Sequence, residues 1–296
     1  MTRVLLFFAT NIAVILLLSI TASLLGIGRY LDESGTGLDL SALLAFCALF
    51  GFGGAFISLL ISKFIAKKSM GVKLIDPKQP ANETETWLIE RISELANQAK
   101  IGMPEVGIFN SPDPNAFATG ANRNNALVAV STGLLHNMNR EEVTAVLAHE
   151  VAHVENGDMI TLGLIQGVVN TFVMFFARII GHFVDRVVFR NQEGHGFGFM
   201  VATVVAEIIL GMLAQVIVMW FSRWREFRAD AGAAKLYGAM PMISALENLK
   251  YHQQGQAPGL PDQMNAFGIR NGASKFGALF SSHPPLDARI DALKRL

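Results

Sequence analysis

One cysteine, and no surplus charge of either sign, is what this 296-residue chain offers where many proteins are richer. The lone Cys47 excludes an intrachain disulfide, and it falls inside an apolar run where a small buried side chain is its ordinary role. Lysine plus arginine and aspartate plus glutamate number 24 each, so the formal net charge is zero and no basic face for nucleic acid is indicated. Only 16% of residues are charged while 51% are hydrophobic, which is too lopsided for two ordinary soluble domains. Internal repeats and low-complexity tracts are also missing.

Charge is absent from particular stretches. None occurs in residues 4–28 or 40–62, and both runs exceed the roughly 20 residues that a helix needs to cross a bilayer. Residues 159–177 are just long enough, and a fourth run covers about residues 196–222. The first run, with Arg3 in front and Thr21-Ala22-Ser23 near its end, has an alternative as a cleaved signal peptide. It is longer than the roughly 7–15 residues of such an apolar region, and a second span follows at once. Arg29 faces Asp32, Glu33 and Asp39 in the first loop, whereas Lys63, Lys67, Lys68 and Lys73 follow span two. That asymmetry predicts both termini and residues 63–158 in the cytoplasm. Arg178, Arg186 and Arg190 crowd the second outer turn and resist the rule, so spans three and four either cross or form a shallower hairpin.

The polar remainder reads as one α+β domain cut by that hairpin. Residues 84–100 have helical periodicity, and residues 106–109 and 126–130 look like short strands. Ser111-Pro112-Asp113-Pro114 is a turn, and Asn115, Ala116, Phe117 and Ala118 after it suit an edge strand. Such a strand could hold an extended peptide by its backbone, or it could be a buried hairpin strand with Phe117 in the core. Residues 226–237, 242–252 and 286–296 read as helices, and residues 253–277, rich in Gly, Gln and Asn, as a loop. The expected layout is two spans in 1–65, a first cytoplasmic part in 66–158, a membrane hairpin in 159–222 and a second cytoplasmic part in 223–296.

His149-Glu150-Val151-Ala152-His153 carries the chemistry. On a helix the imidazoles at i and i+4 share a face and reach one metal ion. Glu150 beside them is placed to accept a proton from water. The helix announces itself: Asn139 as N-cap, Glu142 completing a capping box, and Asn156-Gly157 as its end. Two histidines leave a zinc site short of a ligand. Span four returns the chain to the membrane surface, and the first acidic residue there is Glu226, with Asp230 one turn on. Glu226 is either the third ligand, with Asp230 holding a histidine, or an exposed partner of Arg223 or Arg225.

The motif on its capped helix, the hairpin and then Ser222-Arg223-Trp224-Arg225-Glu226-Phe227-Arg228-Ala229-Asp230 together resemble the HtpX heat-shock protease family, which is related to the CAAX prenyl proteases. Pro114-Asn115-Ala116-Phe117-Ala118-Thr119-Gly120 and Ser282-His283-Pro284-Pro285-Leu286 agree with it. The resemblance implies a polytopic zinc metalloendopeptidase of the bacterial inner membrane, with four spans and a zincin-like cytoplasmic domain. One Zn2+ per chain would be held by His149, His153 and Glu226, with Glu150 as base. Its partners would be the bilayer and misfolded or damaged membrane proteins degraded under stress, with no nucleic acid.

His283, held by the prolines after it, is a candidate oxyanion donor or else a cap for the helix at Leu286. His136, His182, His195 and His252 lie outside any motif. Two other readings stay open. An intramembrane metalloprotease would carry the motif within a span, but Glu141, Glu142, Glu155, Asn156 and Asp158 surround it here. A transporter or scaffold with a structural zinc would account for Gln166, Asn170, Glu207 and Gln215 in the hairpin, yet not for a glutamate directly after His149.

Overall fold

The computed structural model describes residues 39–191, 196–255 and 283–296. The first expected span, residues 4–28, lies outside them. Helix α1 (Leu40–Ser69), α5 (Asp158–Phe183, continued by a π-helical turn over Val184–Val188) and α6 (Phe197–Leu236) are long and apolar enough to cross a membrane. Helix α6 corrects the expectation of a span followed by a separate helix at 226–237. Residues 212–231 contain neither glycine nor proline, so the charges that end the apolar stretch do not end the helix.

Contacts divide the described residues into two compact units. One takes in residues 39–58 and the described residues of Leu162–Val218. Leu44, Cys47 and Phe175 are buried together in it, with Leu43, Val168 and Phe172 packed around them. A side chain at Gly51 would overlap the Thr171 hydroxyl, so the missing Cβ lets α1 and α5 approach closely. The Thr171 hydroxyl meanwhile donates to the Gly167 carbonyl at 2.8 Å. Leu49, Phe50, Ile208 and Leu213 are exposed, the outward faces that lipid would cover. Arg178 Nη1 lies 3.3 Å from Glu207 Oε1, with its guanidinium over the Phe46 ring. Glu207 thus pairs with Arg178, while Asn170 accepts from Gln166 at 2.8 Å.

The other unit holds Leu59–Thr161 and the described residues from Met219 onward. Its sheet has the order β1-β2-β4-β3. The strands are β1 (Lys73–Leu74), β2 (Glu105–Phe109), β3 (Ala116–Thr119) and β4 (Leu127–Ser131). β2 and β4 run parallel, and the outer pairs are antiparallel. Central β4 is buried at all five positions, which explains its unbroken Leu-Val-Ala-Val run. Helix α2 (Glu83–Gln98) is capped by Asn82, whose side chain accepts from the Glu85 N–H. A short helix α3 (Thr132–Asn137), which the sequence reading missed, follows β4 directly because Ser131 caps it.

Helix α4 (Arg140–Asn156) is the centre of the unit. Val143, Leu147, Ala148, Val151 and Ala152 are buried, as are residues on its other faces, so it is packed nearly all round. The capping box expected at Asn139 and Glu142 is present. Glu142 also accepts from Ser244 and Asn248 of α7 (Ala239–Gly255), so a capping residue doubles as a tertiary clasp. Gly157 ends the helix in the left-handed conformation, at φ 70°, which glycine adopts without strain. The loop expected from residue 253 begins inside α7, and the rest lies outside the described residues. Helix α8 (Leu286–Leu293) adds Ile290 and Leu293 to the core.

Candidate active site

His149 and His153 project from successive turns of α4, and both are buried. Their Nε2 atoms stand 3.1 Å apart. Glu226 of α6, buried to 1% exposure, places Oε2 3.6 Å from His149 Nε2 and Oε1 3.4 Å from His153 Nε2. Two imidazole nitrogens and the two oxygens of one carboxylate, with contacts of 3.1–3.6 Å between them, suit a small cation. Tetrahedral bonds of about 2.0–2.1 Å imply donors about 3.3 Å apart. The residues present therefore fit a metal ion such as zinc. The alternative of Glu226 as an exposed partner of a neighbouring arginine fails on burial, although Arg225 Nε does lie 3.8 Å away.

The outward nitrogens are held by carboxylates. His153 Nδ1 is 2.7 Å from Asp158 Oδ2. His149 Nδ1 is 2.9 Å from Asp230 Oδ1, within ion-pair range but off the N–H axis, so the contact is more electrostatic than a true hydrogen bond. Each carboxylate favours a proton on Nδ1 and leaves Nε2 free to ligate. Burial alone would push both imidazoles down. For His149 the contacts with the Asp230 and Glu226 carboxylates outweigh it and raise the pKa. For His153 the bonds to Asp158 and Glu226, and the nearby charge of Glu150, raise it to about 9. A cation at the Nε2 atoms would compete with those protons.

Glu150 follows His149 on α4 and is half-buried, so water reaches it. His283 lies beside Glu226, with Nδ1 2.9 Å from Oε2 and its side chain 62% exposed. It precedes Pro285, the residue at the N-terminal end of α8. Ala116 to Ala118 fall in β3, an edge of the sheet, with Asn115 just before it. The Asn115 N–H donates to Ser131 Oγ, its carbonyl accepts from the Ser131 N–H, and Phe117 is half-buried with its ring 5.5 Å from Phe109. Past the end of β3, Gly120, Ala126, Val154 and Ile160 line a hollow that reaches His153. Gly232 of α6 faces Ala152, and a Cβ there would lie 2.7 Å from the alanine methyl. The two ligand-bearing helices thus come close at a point where a side chain is missing.

The chain belongs to peptidase family M48. The model of that family matches residues 82–296, the stretch that contains the His-His-Glu cluster. A relative named Protease HtpX, from Thioalkalivibrio sulfidiphilus, is 64% identical and covers 100% of this chain and 99% of its own. A Protease HtpX homolog from Thiobacillus denitrificans is 60% identical over 99% of each chain. The crystal structure of S. mikatae Ste24p matches the fold with a TM-score of 0.62 at 19% identity, covering 98% of this chain and 67% of that one. With three helices among the described residues long and apolar enough to span a bilayer, the protein is a membrane metalloprotease, and the family's dependence on metal agrees with the cluster.

Two residues of the site escaped the sequence reading. Asp158 was read only as one of the polar residues around the motif, though a left-handed glycine before it is a turn signal that brings its carboxylate back toward His153. Arg289 had no local signal beyond its place six residues after His283. Its Nε and Nη2 donate to Asp230 at 2.8 and 2.6 Å. Burial alone would lower the Arg289 pKa, but the bonds and charges of Asp230 and Glu226 raise it instead.

Proposed function

We propose that the protein is a zinc endopeptidase of the bacterial inner membrane that cuts misfolded or damaged membrane proteins at the cytoplasmic face. His149, His153 and Glu226 hold one Zn2+ per chain. Zinc, when bound, supplies a Lewis acid for the peptide carbonyl and makes nearby water more acidic. Glu150 is the general base: it takes a proton from water and returns it to the departing amine. Asp230 orients His149. His283, exposed at the outer side of Glu226, donates to the oxygen on which charge develops. Edge strand β3, preceded by Asn115, takes the substrate as an added strand through Ala116, Phe117 and Ala118. Backbone bonding reads little sequence, as quality control requires.

The convergence of His149 Nε2, His153 Nε2 and Glu226 within 3.6 Å, with Glu150 next in sequence, is the observation that carries this reading. Lys63, Lys67, Lys68 and Lys73 support a cytoplasmic site and four spans, with residues 66–158 and 223–296 forming the catalytic domain around a 159–222 hairpin. Purified protein is tested for zinc content and for cleavage of an unfolded substrate. Glu150→Gln should keep its zinc and lose about 10²–10⁴-fold in rate. An active Glu150→Gln protein sinks the mechanism, and full zinc in Glu226→Ala moves the third ligand elsewhere. Ser34→Cys and Ser281→Cys, in a Cys47→Ala background, report topology: an impermeant thiol reagent on spheroplasts should label the first only. Proline placed in turn at 116, 117 and 118 should weaken peptide cleavage wherever the lost N–H points away from β4, with zinc content unchanged.

A further inference from the structure

Arg289 is a buried cation that the proposed ligand set does not require. Its side chain comes from α8 and is 7% exposed. Nε and Nη2 form a two-point fork on the two oxygens of Asp230, at 2.8 and 2.6 Å. The oxygen that takes the Nη2 bond, Oδ1, is also the one 2.9 Å from His149 Nδ1. The remaining nitrogen, Nη1, stands 3.6 Å from Glu226 Oε2. One guanidinium therefore serves two buried carboxylates, one turn apart on α6, that would otherwise repel each other.

The simpler role is to fasten α8 to the domain. That helix has other fastenings: Ile290 and Leu293 are buried in the core, and Lys250 pairs with Asp287. The polar partners of Asp230 are Arg289 and His149. What only the fork provides is a fixed carboxylate plane, because holding both oxygens stops rotation about the Cβ–Cγ bond. A fixed plane keeps Oδ1 on His149 Nδ1, and that contact leaves Nε2 facing Glu226 and His153. We propose that Arg289 is a positioning residue of the metal centre, clamping Asp230 so that His149 presents Nε2 to the cation. The inference rests on the ligand set of the proposed function.

The test uses the full-length protein in detergent. Arg289→Ala and Arg289→Lys are compared with Ile290→Ala, which loosens the same helix without touching Asp230. Three readouts are taken: zinc affinity by chelator competition, the visible absorption of the Co2+-loaded protein, and kcat and KM for a peptide. Both Arg289 variants should bind zinc about 10–100-fold more weakly, with an altered Co2+ spectrum. Their kcat should fall while KM stays within about two-fold. Added guanidinium ion should restore part of the affinity of Arg289→Ala, and none when Asp230→Asn is also present. Ile290→Ala should melt earlier with the parent's spectrum and affinity. If the Arg289 variants behave as Ile290→Ala does, the arginine only fastens the helix and the proposal is overturned. Should Arg289→Ala fail to fold, Arg289→Lys, which keeps the charge but not the fork, decides alone. A parent protein without zinc-dependent cleavage would overturn the proposed function, whereas the Co2+ spectrum judges Arg289 without any protease assay.

Discussion

The two histidines of the centre are supported by arms of the same chemistry and different construction. Each Nδ1 meets an aspartate, and each aspartate meets an arginine: His149 with Asp230 and Arg289, His153 with Asp158 and Arg228. The His153 arm is local at its inner link, since Asp158 comes five residues later, past the turn at Gly157. The His149 arm is tertiary throughout and joins α4, α6 and α8. Their outer ends differ too. Arg289 is buried, whereas the Arg228 side chain is 38% exposed and lies over the Trp224 ring. A local arm keeps its shape whenever the α4 end forms. A tertiary arm exists only when the whole domain has closed, so it ties metal binding to complete folding.

Removing the imidazoles should erase the difference between the arms. His149→Ala and His153→Ala are each expected to lose metal and cleavage altogether, measured by metal analysis and peptide assay. Residual zinc in one of them would make the arms unequal at their core. The aspartates should then separate the arms. Asp230→Ala strands Arg289 in the interior and should destabilise by about 3–5 kcal/mol. Asp158→Ala should destabilise less, because Arg228 can turn to water. Both should lower metal affinity about 10–100-fold. Chemical denaturation beside zinc competition measures the two effects, and equal stability losses would contradict the division.

A pH experiment addresses the local arm. With its pKa raised to about 9, His153 holds a proton at neutral pH in the metal-free protein. That pairing stabilises the metal-free fold fully below the unfolded value near 6.5, and the contribution is lost as pH rises through about 9. Zinc must displace the proton, so affinity should climb with pH until about 9. Calorimetry in buffers of different protonation enthalpy should show proton release at pH 7.5, diminished in Asp158→Asn. Release unchanged by that substitution would remove Asp158 as the cause. The smallest effect is reserved for the exposed end: Arg228→Lys should change melting by no more than about 1 kcal/mol equivalent. A larger loss than in Arg289→Lys would reverse the ranking of the arms.

How much of this was legible in the sequence follows the same division. The motif helix, its capping box and its glycine stop were readable because caps and i,i+4 spacing act within one or two turns. The edge strand was placed within a residue of β3, and its neighbours were found by their apolar runs. Glu226 and Asp230 were reached by arguing where the chain must return, and their roles were left divided until the family resemblance. Arg289 was not reachable: nothing within its own helix distinguishes it from a surface arginine, and its partner is 59 residues away. The break expected in α6 failed for another reason. Charged residues end a bilayer span, but a helix bonds its own backbone in water as well as in lipid.

The glycine at 232 gives the centre a property not contained in any ligand. A methyl there would press on Ala152 at 2.7 Å, so the bare glycine lets the helix of the histidines and the helix of Glu226 come close at that point. Ions differ in bond length, from about 2.0 Å for zinc to 2.3–2.6 Å for calcium. A close approach of the two helices favours the ion with the shorter bonds. Gly232→Ala would widen that approach, and the preference among cations would shift toward larger radii although every atom that touches the ion is unchanged.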